Sequence, residues 1–446
     1  MKATSDPLLS LRDWTLVRRV SGGEITLLDR INLDIRPGSW LAVLGANGSG
    51  KSSLLKYLAA EESPLAETAA IMFQDPDEQI FAASVEREIT LGRSGLDGLG
   101  ILHEFGLGGL QEMDPRLLSA GQKQRLVLAV ALAAQPGVLL CDEPTALQDP
   151  DQSRWVLDRL EKWKNETGGA LVTATCDREE AARTQWLVVL RDGRIVRQGP
   201  TEELLAAPEV EELLGDGRTI SPPSARIENP GAEPLLELQG LDCRFTGPGH
   251  GFGNVDLRIC PGDRIGITGP NGCGKSTLLA VCAGARRPEQ GSVRLNGRIL
   301  YSRKPRDLQG GSAMLAPQFP EYLFTRSTVA QEIHLDPVLA KWDPEDLLAE
   351  LGLPTNLTVT NPHDLSSGQR RRLALGMVLV SDRPVLLLDE PTAALDRTGR
   401  SVILDMLDRT PAGTALVIAS HDLEFLAAAG CSILTLTPKG LVPIGA

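Results

Sequence analysis

The chain lacks an excess of positive charge. Its 45 Lys and Arg face 58 Asp and Glu, a formal net charge of −13 at pH 7, so it carries no basic footprint for a phosphate backbone and nucleic acid is not an expected partner. Long apolar runs are missing as well. LVLAVALAA at 126–134 is among the longest, well short of the roughly 18 residues of a spanning helix. The opening MKATSDPLLS has no basic stretch leading into an apolar one, so no secretory leader is expected. No metal-ligand spacing appears among the seven cysteines (Cys141, Cys176, Cys243, Cys260, Cys273, Cys282, Cys431), which are odd in number and scattered. Reduced thiols in a cytoplasm are the expectation, and any work at a membrane would go through a partner.

What the chain does have is length and repetition. At 446 residues, 42% hydrophobic and 23% charged, it has the composition of a folded soluble protein and is too long for one ordinary core. WLAVLGANGSGKSSLL (40–55) matches RIGITGPNGCGKSTLL (264–279), LLSAGQKQRLVLAVAL (117–132) matches DLSSGQRRRLALGMVL (364–379), and VLLCDEPTALQD (138–149) matches VLLLDEPTAALD (385–396). Ser119 to Asp142 and Ser366 to Asp389 are both 23 residues. Duplication at this scale predicts two homologous domains, residues 1–218 and 234–446, with a linker at 219–233 in a Pro-, Gly- and Ser-containing stretch without apolar periodicity. Each half alternates strand-like and helix-like segments, which predicts an α/β fold with a mainly parallel sheet.

Both halves carry GxxxxGK[ST] between a predicted strand and a predicted helix: Gly45, Asn47, Gly48, Gly50, Lys51, Ser52 and Ser53 in the first, Gly269, Asn271, Gly272, Gly274, Lys275, Ser276 and Thr277 in the second. Glycines let the backbone wrap phosphate oxygens, the lysine reaches the terminal phosphates and the serine hydroxyl ligates Mg²⁺. Apolar strands then end in paired acids, Asp142-Glu143 and Asp389-Glu390. A buried strand that terminates in two carboxylates is costly unless they meet a cation, so Asp142 and Asp389 are expected to hold Mg²⁺ through water while Glu143 and Glu390 polarise the attacking water.

LSAGQ (118–122) and LSSGQ (365–369), together with the loop glutamines Gln74 and Gln318, resemble the signature of ABC-type ATPases, over residues of about 8 to 435. The resemblance implies two P-loop NTPase domains in tandem, each with a parallel core sheet, an antiparallel β subdomain and a helical subdomain. It implies ATP and Mg²⁺, with Gln74 and Gln318 near the metal. It further implies an intramolecular pseudo-dimer in which Ser119, Gly121 and Gln122 of one half face the phosphate loop of the other, and Ser366, Gly368 and Gln369 do the reverse.

The halves are not equal. His421 in SHD occupies the place of the family histidine that contacts the γ-phosphate, and the first half has Cys176 there. A neutral thiol is a weak donor and supplies no positive charge, unless the exchange is harmless drift. Phe245, expected to stack on adenine, is matched by Arg18; Leu395 is matched by Gln148. Lys51 and Gln74 are 23 residues apart but Lys275 and Gln318 are 43, so the antiparallel subdomain is expected to be shortened in the first half. Hydrolysis is therefore expected mainly at the second site, with the first binding ATP and firing slowly or not at all.

FQDPDEQIF (73–81) resembles the glutamine loop of ATPases from energy-coupling factor importers of vitamins or metals, and QFPEYLF (318–324) resembles their partner ATPase, one residue short. That resemblance implies a transmembrane coupling subunit, a substrate-capture membrane protein and a site on the cytoplasmic face of the membrane. Asp77, Glu78 and Glu321 are the residues expected to meet arginines of the coupling subunit. After the first half a segment TEELLAAPEVEELL (201–214) follows, with no counterpart after PKGLVPIGA. A sugar-type tandem importer ATPase and a soluble ABC mechanoenzyme remain the alternatives.

Overall fold

The computed structural model describes residues 6–20, 23–146, 148–214, 233–244, 251–301, 313–393 and 395–444. The chain divides into two compact units, Met1–Arg218 and Thr219–Ala446. Most of the stretch expected to be a linker, 219–232, and Phe245 lie outside the described residues.

In the first unit, β1 (Leu9–Val20) and β2 (Gly23–Ile35) form an antiparallel pair. The central sheet is built from β3 (Trp40–Leu44), then α1 (Lys51–Leu58), β4 (Ala69–Met72), α2 (Val85–Thr90), α3 (Gly98–Glu104), α4 (Ala120–Ala133), β5 (Val138–Asp142), α5 (Pro150–Thr167), β6 (Ala170–Thr175), α6 (Arg178–Arg183), β7 (Trp186–Arg191) and β8 (Arg194–Pro200), followed by α7 (Thr201–Leu204) and α8 (Pro208–Leu214). Strand order is β4-β5-β6-β3-β7-β8, parallel except for the β7–β8 hairpin. Every residue of β3, β5 and β6 is buried, as near-continuous apolar runs require when helices cover both faces.

The second unit repeats this plan. Its elements are β9 (Leu236–Arg244), β10 (Gly251–Ile259), β11 (Arg264–Thr268), α9 (Lys275–Cys282), β12 (Gln290–Leu295), β13 (Arg298–Ile299), β14 (Ala313–Ala316), α10 (Val329–Ile333), α11 (Pro344–Glu350), α12 (Ser367–Leu379), β15 (Val385–Asp389), α13 (Arg397–Asp408), β16 (Ala415–Ala419), α14 (Leu423–Ala428), β17 (Ser432–Thr437) and β18 (Gly440–Pro443). The sheet order β14-β15-β16-β11-β17-β18 matches the first unit strand for strand. Here, however, β9 pairs on both sides, in an antiparallel sheet β10-β9-β12-β13, whereas among the described residues the first unit has only β1-β2. The shortening expected from the sequence is thus the loss of the β12 and β13 counterparts between α1 and β4.

The strand order sets the site. β3 and β11 lie inside the sheets, each beside β6 or β16, which in turn borders the strand that ends in Asp142 or Asp389, so the carboxyl ends of these parallel strands bring the glycine loop, the paired acids and the residues after β6 or β16 together.

Candidate functional site

In each unit a glycine in left-handed conformation opens the helix after the loop: Gly50 at φ 106° before α1 and Gly274 at φ 110° before α9, neither with a side-chain cap. At that φ any side chain is strained, and a Cβ at Gly50 would also lie 2.8 Å from Cδ2 of Leu28, which would have to move. Gly48 and Gly272, both at φ 80°, shape the crest beside Asn47 and Asn271. The buried lysines fold across their own loops. Lys51 Nζ donates to the carbonyls of Gly45 (2.7 Å) and Ala46 (3.3 Å), and Lys275 Nζ to those of Gly269 (2.7 Å) and Pro270 (3.4 Å).

Ser52 and Ser276, with Ser53 and Thr277 next along the first helical turn, face the strand ends. The Ser52 hydroxyl hydrogen-bonds to Asp142 and that of Ser276 to Asp389. Burial raises the Asp142 carboxyl above its ordinary range, against the bond from Ser52 and the charge of Lys51. Burial pushes Asp389 up to about 6, helped by the neighbouring charge of Glu390 and opposed by Ser276 and Lys275. A carboxyl so placed ionises readily only beside a cation.

The next residue is unusual in the same way twice. Glu143 (φ 48°) and Glu390 (φ 46°) both adopt the left-handed region, which costs a non-glycine residue on the order of 1–3 kcal/mol and persists only where the surroundings impose it. Their N–H groups donate to Ala174 and Ala419 at 2.8 Å in each case, and their Oε1 atoms lie 4.0 Å from Lys51 and Lys275.

The side chains of these glutamates are held differently. In the second unit His421 Nδ1 stands 3.0 Å from Glu390 Oε2, the Ser420 hydroxyl donates to the same oxygen at 3.1 Å, and the His421 N–H approaches it at 3.4 Å. Burial raises the Glu390 carboxyl, but the bonds and charges of His421, Lys275 and Ser420 outweigh it and hold it below the ordinary glutamate range. In the first unit Gln74 Nε2 donates to Glu143 Oε2 at 2.7 Å. Cys176 turns to the glycine loop, where its Sγ donates to the Gly45 carbonyl at 3.5 Å. Thr175, the counterpart of Ser420, donates to Glu180 at 3.1 Å, as does Thr145 at 3.0 Å. Glu180 is fully buried and pushed up to about 8 by desolvation; its counterpart in the second unit is the apolar Phe425.

The signature segments open α4 and α12. Ser119 and Ser366 are the N-caps, each exchanging hydrogen bonds with Gln122 or Gln369 in a capping box, with Gly121 and Gly368 in the first turn between them. The serine oxygen accepts from the glutamine N–H in each pair, which leaves the hydroxyl proton for another acceptor.

Of the acids expected to meet a membrane partner, Glu78 is exposed in a short 3₁₀ turn and Phe81 beside it is 78% exposed. Asp77 is already engaged: Lys123 donates to both its oxygens at 2.6 and 2.8 Å. Glu321 departs from the expectation. It is 7% exposed and faces the buried guanidinium of Arg371, so the shorter loop turns it inward, where a partner cannot reach it. Sequence reasoning also missed the supports of these loops. Glu88 accepts from the N–H groups of Phe81 and Ala82 (3.0 and 2.6 Å), and Glu332 repeats this with Thr325 and Arg326 (2.9 and 2.6 Å). Their signal was present as acids at one register in both halves, four residues after Ser84 and Thr328, the caps of α2 and α10.

The residues fit an ATP–Mg²⁺ pair. Asp389 Oδ1 and Glu390 Oε1 are buried carboxylate oxygens without a hydrogen-bond donor among the described residues, and no cluster of three or more His, Cys, Asp or Glu is assembled there. One serine and one aspartate per unit suit a cation that keeps water and phosphate oxygens as its other ligands.

The sequence profile of the family described as ABC transporter matches residues 28–96, 96–146 and 252–393. The chain belongs to the ABC transporter family. It is a tandem ABC ATPase whose domains bind ATP. YkoD of Bacillus subtilis (strain 168), provisionally named an HMP/thiamine import ATP-binding protein, is 28% identical over 92% of this chain and 87% of its own length. An uncharacterised ABC transporter ATP-binding protein of Mycobacterium tuberculosis (strain CDC 1551 / Oshkosh) is 30% identical over 89% of this chain and 57% of its own length. Among solved structures, that titled "Model of ribosome-bound archaeal Pelota and ABCE1" superposes with a TM-score of 0.69 at 20% identity, covering 93% of this chain and 76% of that one. At that identity the likeness concerns the fold. Among the described residues no helix is long and apolar enough to cross a membrane.

Proposed function

We propose that this ABC ATPase is the motor of an importer of the energy-coupling factor type, and that hydrolysis runs mainly in the second unit. The observation that carries the asymmetry is the grip on the two glutamates. The Glu390 carboxyl, kept below the ordinary glutamate range, accepts from the Ser420 hydroxyl and lies 3.0 Å from His421 Nδ1, surroundings that suit a group that polarises water. With Nδ1 on the glutamate, the His421 Nε2 lies on the opposite side of the ring, available to a phosphate oxygen. Glu143 is tied to Gln74 instead.

In this reading Lys275 and the N–H groups of Gly272 to Ser276 bind the phosphates, Ser276 and Asp389 hold Mg²⁺, and Gln318 completes its surroundings. Lys51, Ser52, Asp142 and Gln74 take the same parts in the first unit. Bound Mg²⁺ supplies charge neutralisation at the phosphates. The Ser119–Gln122 and Ser366–Gln369 turns each keep a hydroxyl proton that can be offered to a phosphate. The nucleotide state is passed to a membrane subunit through the loops after Gln74 and Gln318; in the first of these Glu78 and Phe81 are exposed.

The importer reading is supported by similarity to YkoD along nearly the whole chain and by the QDPDEQ loop. Affinity purification of the full chain from detergent-solubilised membranes of its own cells tests it. A co-purifying multispan membrane protein whose retention falls on Phe81→Asp is the expected result. Recovery with ribosomes, or unchanged retention by the variant, would sink it.

A further inference from the structure

Arg371 lies in the run Arg370-Arg371-Arg372, which reads in sequence as a charged helix surface. Its place in α12 says otherwise. It is 1% exposed, on the face that also buries Ala374, Leu375 and Val378, three, four and seven residues on. A guanidinium is buried at considerable cost unless its N–H groups find partners, and those of Arg371 reach two separate pieces of the site. Nη2 donates to the main-chain carbonyl of Glu390 at 2.6 Å. Nη1 lies 3.7 Å from Oε1 of Glu321, and the guanidinium carbon is 5.9 Å from the centre of the Phe319 ring. Phe319 and Glu321 directly follow Gln318, in the loop that ends with Leu323, 61% exposed.

We infer that Arg371 is a positioning residue that transmits the state of the loop after Gln318 to Glu390. The inference rests on the reading of Glu390 as the residue that drives hydrolysis. The Glu390 peptide is the one held in left-handed conformation, so a short bond to its carbonyl bears on a backbone with few alternatives, and the aim of its side chain depends on it. The other end of the guanidinium is looser. At 3.7 Å the pair with Glu321 would have to close by roughly 1 Å to become a charge-assisted hydrogen bond, and Glu321 Oε2 is buried without a donor among the described residues. Movement of the loop toward α12 tightens this contact and is passed through a rigid planar group to the Glu390 peptide. Among the described residues the first unit has no such connection. There Gln124 occupies the place of Arg371 and donates to the Pro144 carbonyl at 3.0 Å, and Asp77, matching Glu321, points outward to Lys123.

Steady-state ATPase assays on the full chain, with equilibrium binding of a fluorescent ATP analogue and Mg²⁺, test this. Arg371→Gln, which installs the residue the first unit folds around, is expected to lower kcat about tenfold or more with analogue affinity kept within about twofold. Glu321→Gln is expected to lower kcat in the same way. The double variant should be no slower than Arg371→Gln alone, as for two members of one chain of contacts. If losses multiply instead, the two residues act independently and the coupling is overturned. Unchanged kcat in Arg371→Gln beside an inactive Glu390→Gln reduces Arg371 to packing. Should Arg371→Gln fail to fold, Glu321→Gln decides alone, unchanged kcat overturning the inference. A Glu390→Gln chain that still turns over ATP would remove the catalytic reading itself, and this inference with it.

Discussion

Two glutamates, 247 positions apart, share everything the backbone can give them. Both follow a buried strand that ends in Asp, both sit in the left-handed region at φ 48° and 46°, and both donate an N–H to the neighbouring strand at 2.8 Å. They differ in who holds the carboxylate: His421 and Ser420 for Glu390, Gln74 for Glu143. The lesson is that duplication preserved the expensive part, a strained backbone that packing must enforce, while the inexpensive part, one side-chain partner, drifted. A residue can keep its backbone geometry and change its side-chain partner.

The comparison breaks most directly at the glutamates themselves. Glu390→Gln is expected to remove nearly all ATP turnover, a loss of about 10²-fold or more, while Glu143→Gln leaves most of it; equal losses in a single-turnover and steady-state assay would make the two sites equivalent. Exchanging the holders sharpens it. His421→Cys should cost ~10² in kcat, since it removes a positioned donor. The converse Cys176→His should leave stability within about 0.5 kcal/mol, as at other half-exposed positions. If Cys176→His raises the residual turnover of Glu390→Gln, the thiol alone silences the first site. If it does not, the Gln74–Glu143 bond is the lock.

The last expectation concerns stability and its dependence on pH. Glu180, raised from 4.5 to about 8 by burial, keeps its proton in the folded chain when the unfolded chain has lost it. Its stabilising contribution is complete below pH 4.5 and is lost as pH rises to about 8, at about 1.4 kcal/mol per unit. Glu180→Gln should therefore lose less stability than the parent between pH 6 and pH 8 in urea titrations of the first unit's transition. Parallel pH profiles would mean Glu180 is ionised where it lies.

Much of the site could be read before any coordinates. The glycine loops, Asp142-Glu143, Asp389-Glu390 and the signature turns are local: each depends on residues adjacent in sequence and on a strand or helix that apolar patterning announces. The shortened antiparallel subdomain was legible too, from the spacing of Lys51 and Gln74. What could not be read was pairing at a distance. Nothing in QFPEYLF says that Glu321 turns inward to Arg371, because one missing residue in a loop changes which way a side chain faces. Nothing in TATCDREEAA says that Glu180 is buried beneath two threonines.

By itself, then, the sequence determined that this protein is a duplicated ATPase with two phosphate loops and one histidine to share between them, since those features follow from residue type and spacing along the chain. Only the tertiary structure decided who grips each glutamate and which acids are spent internally. Such contacts join segments 30 to 70 positions apart, as Gln74 does with Glu143 and His421 with Glu390, and their lengths are fixed by how helices and loops pack around the sheet.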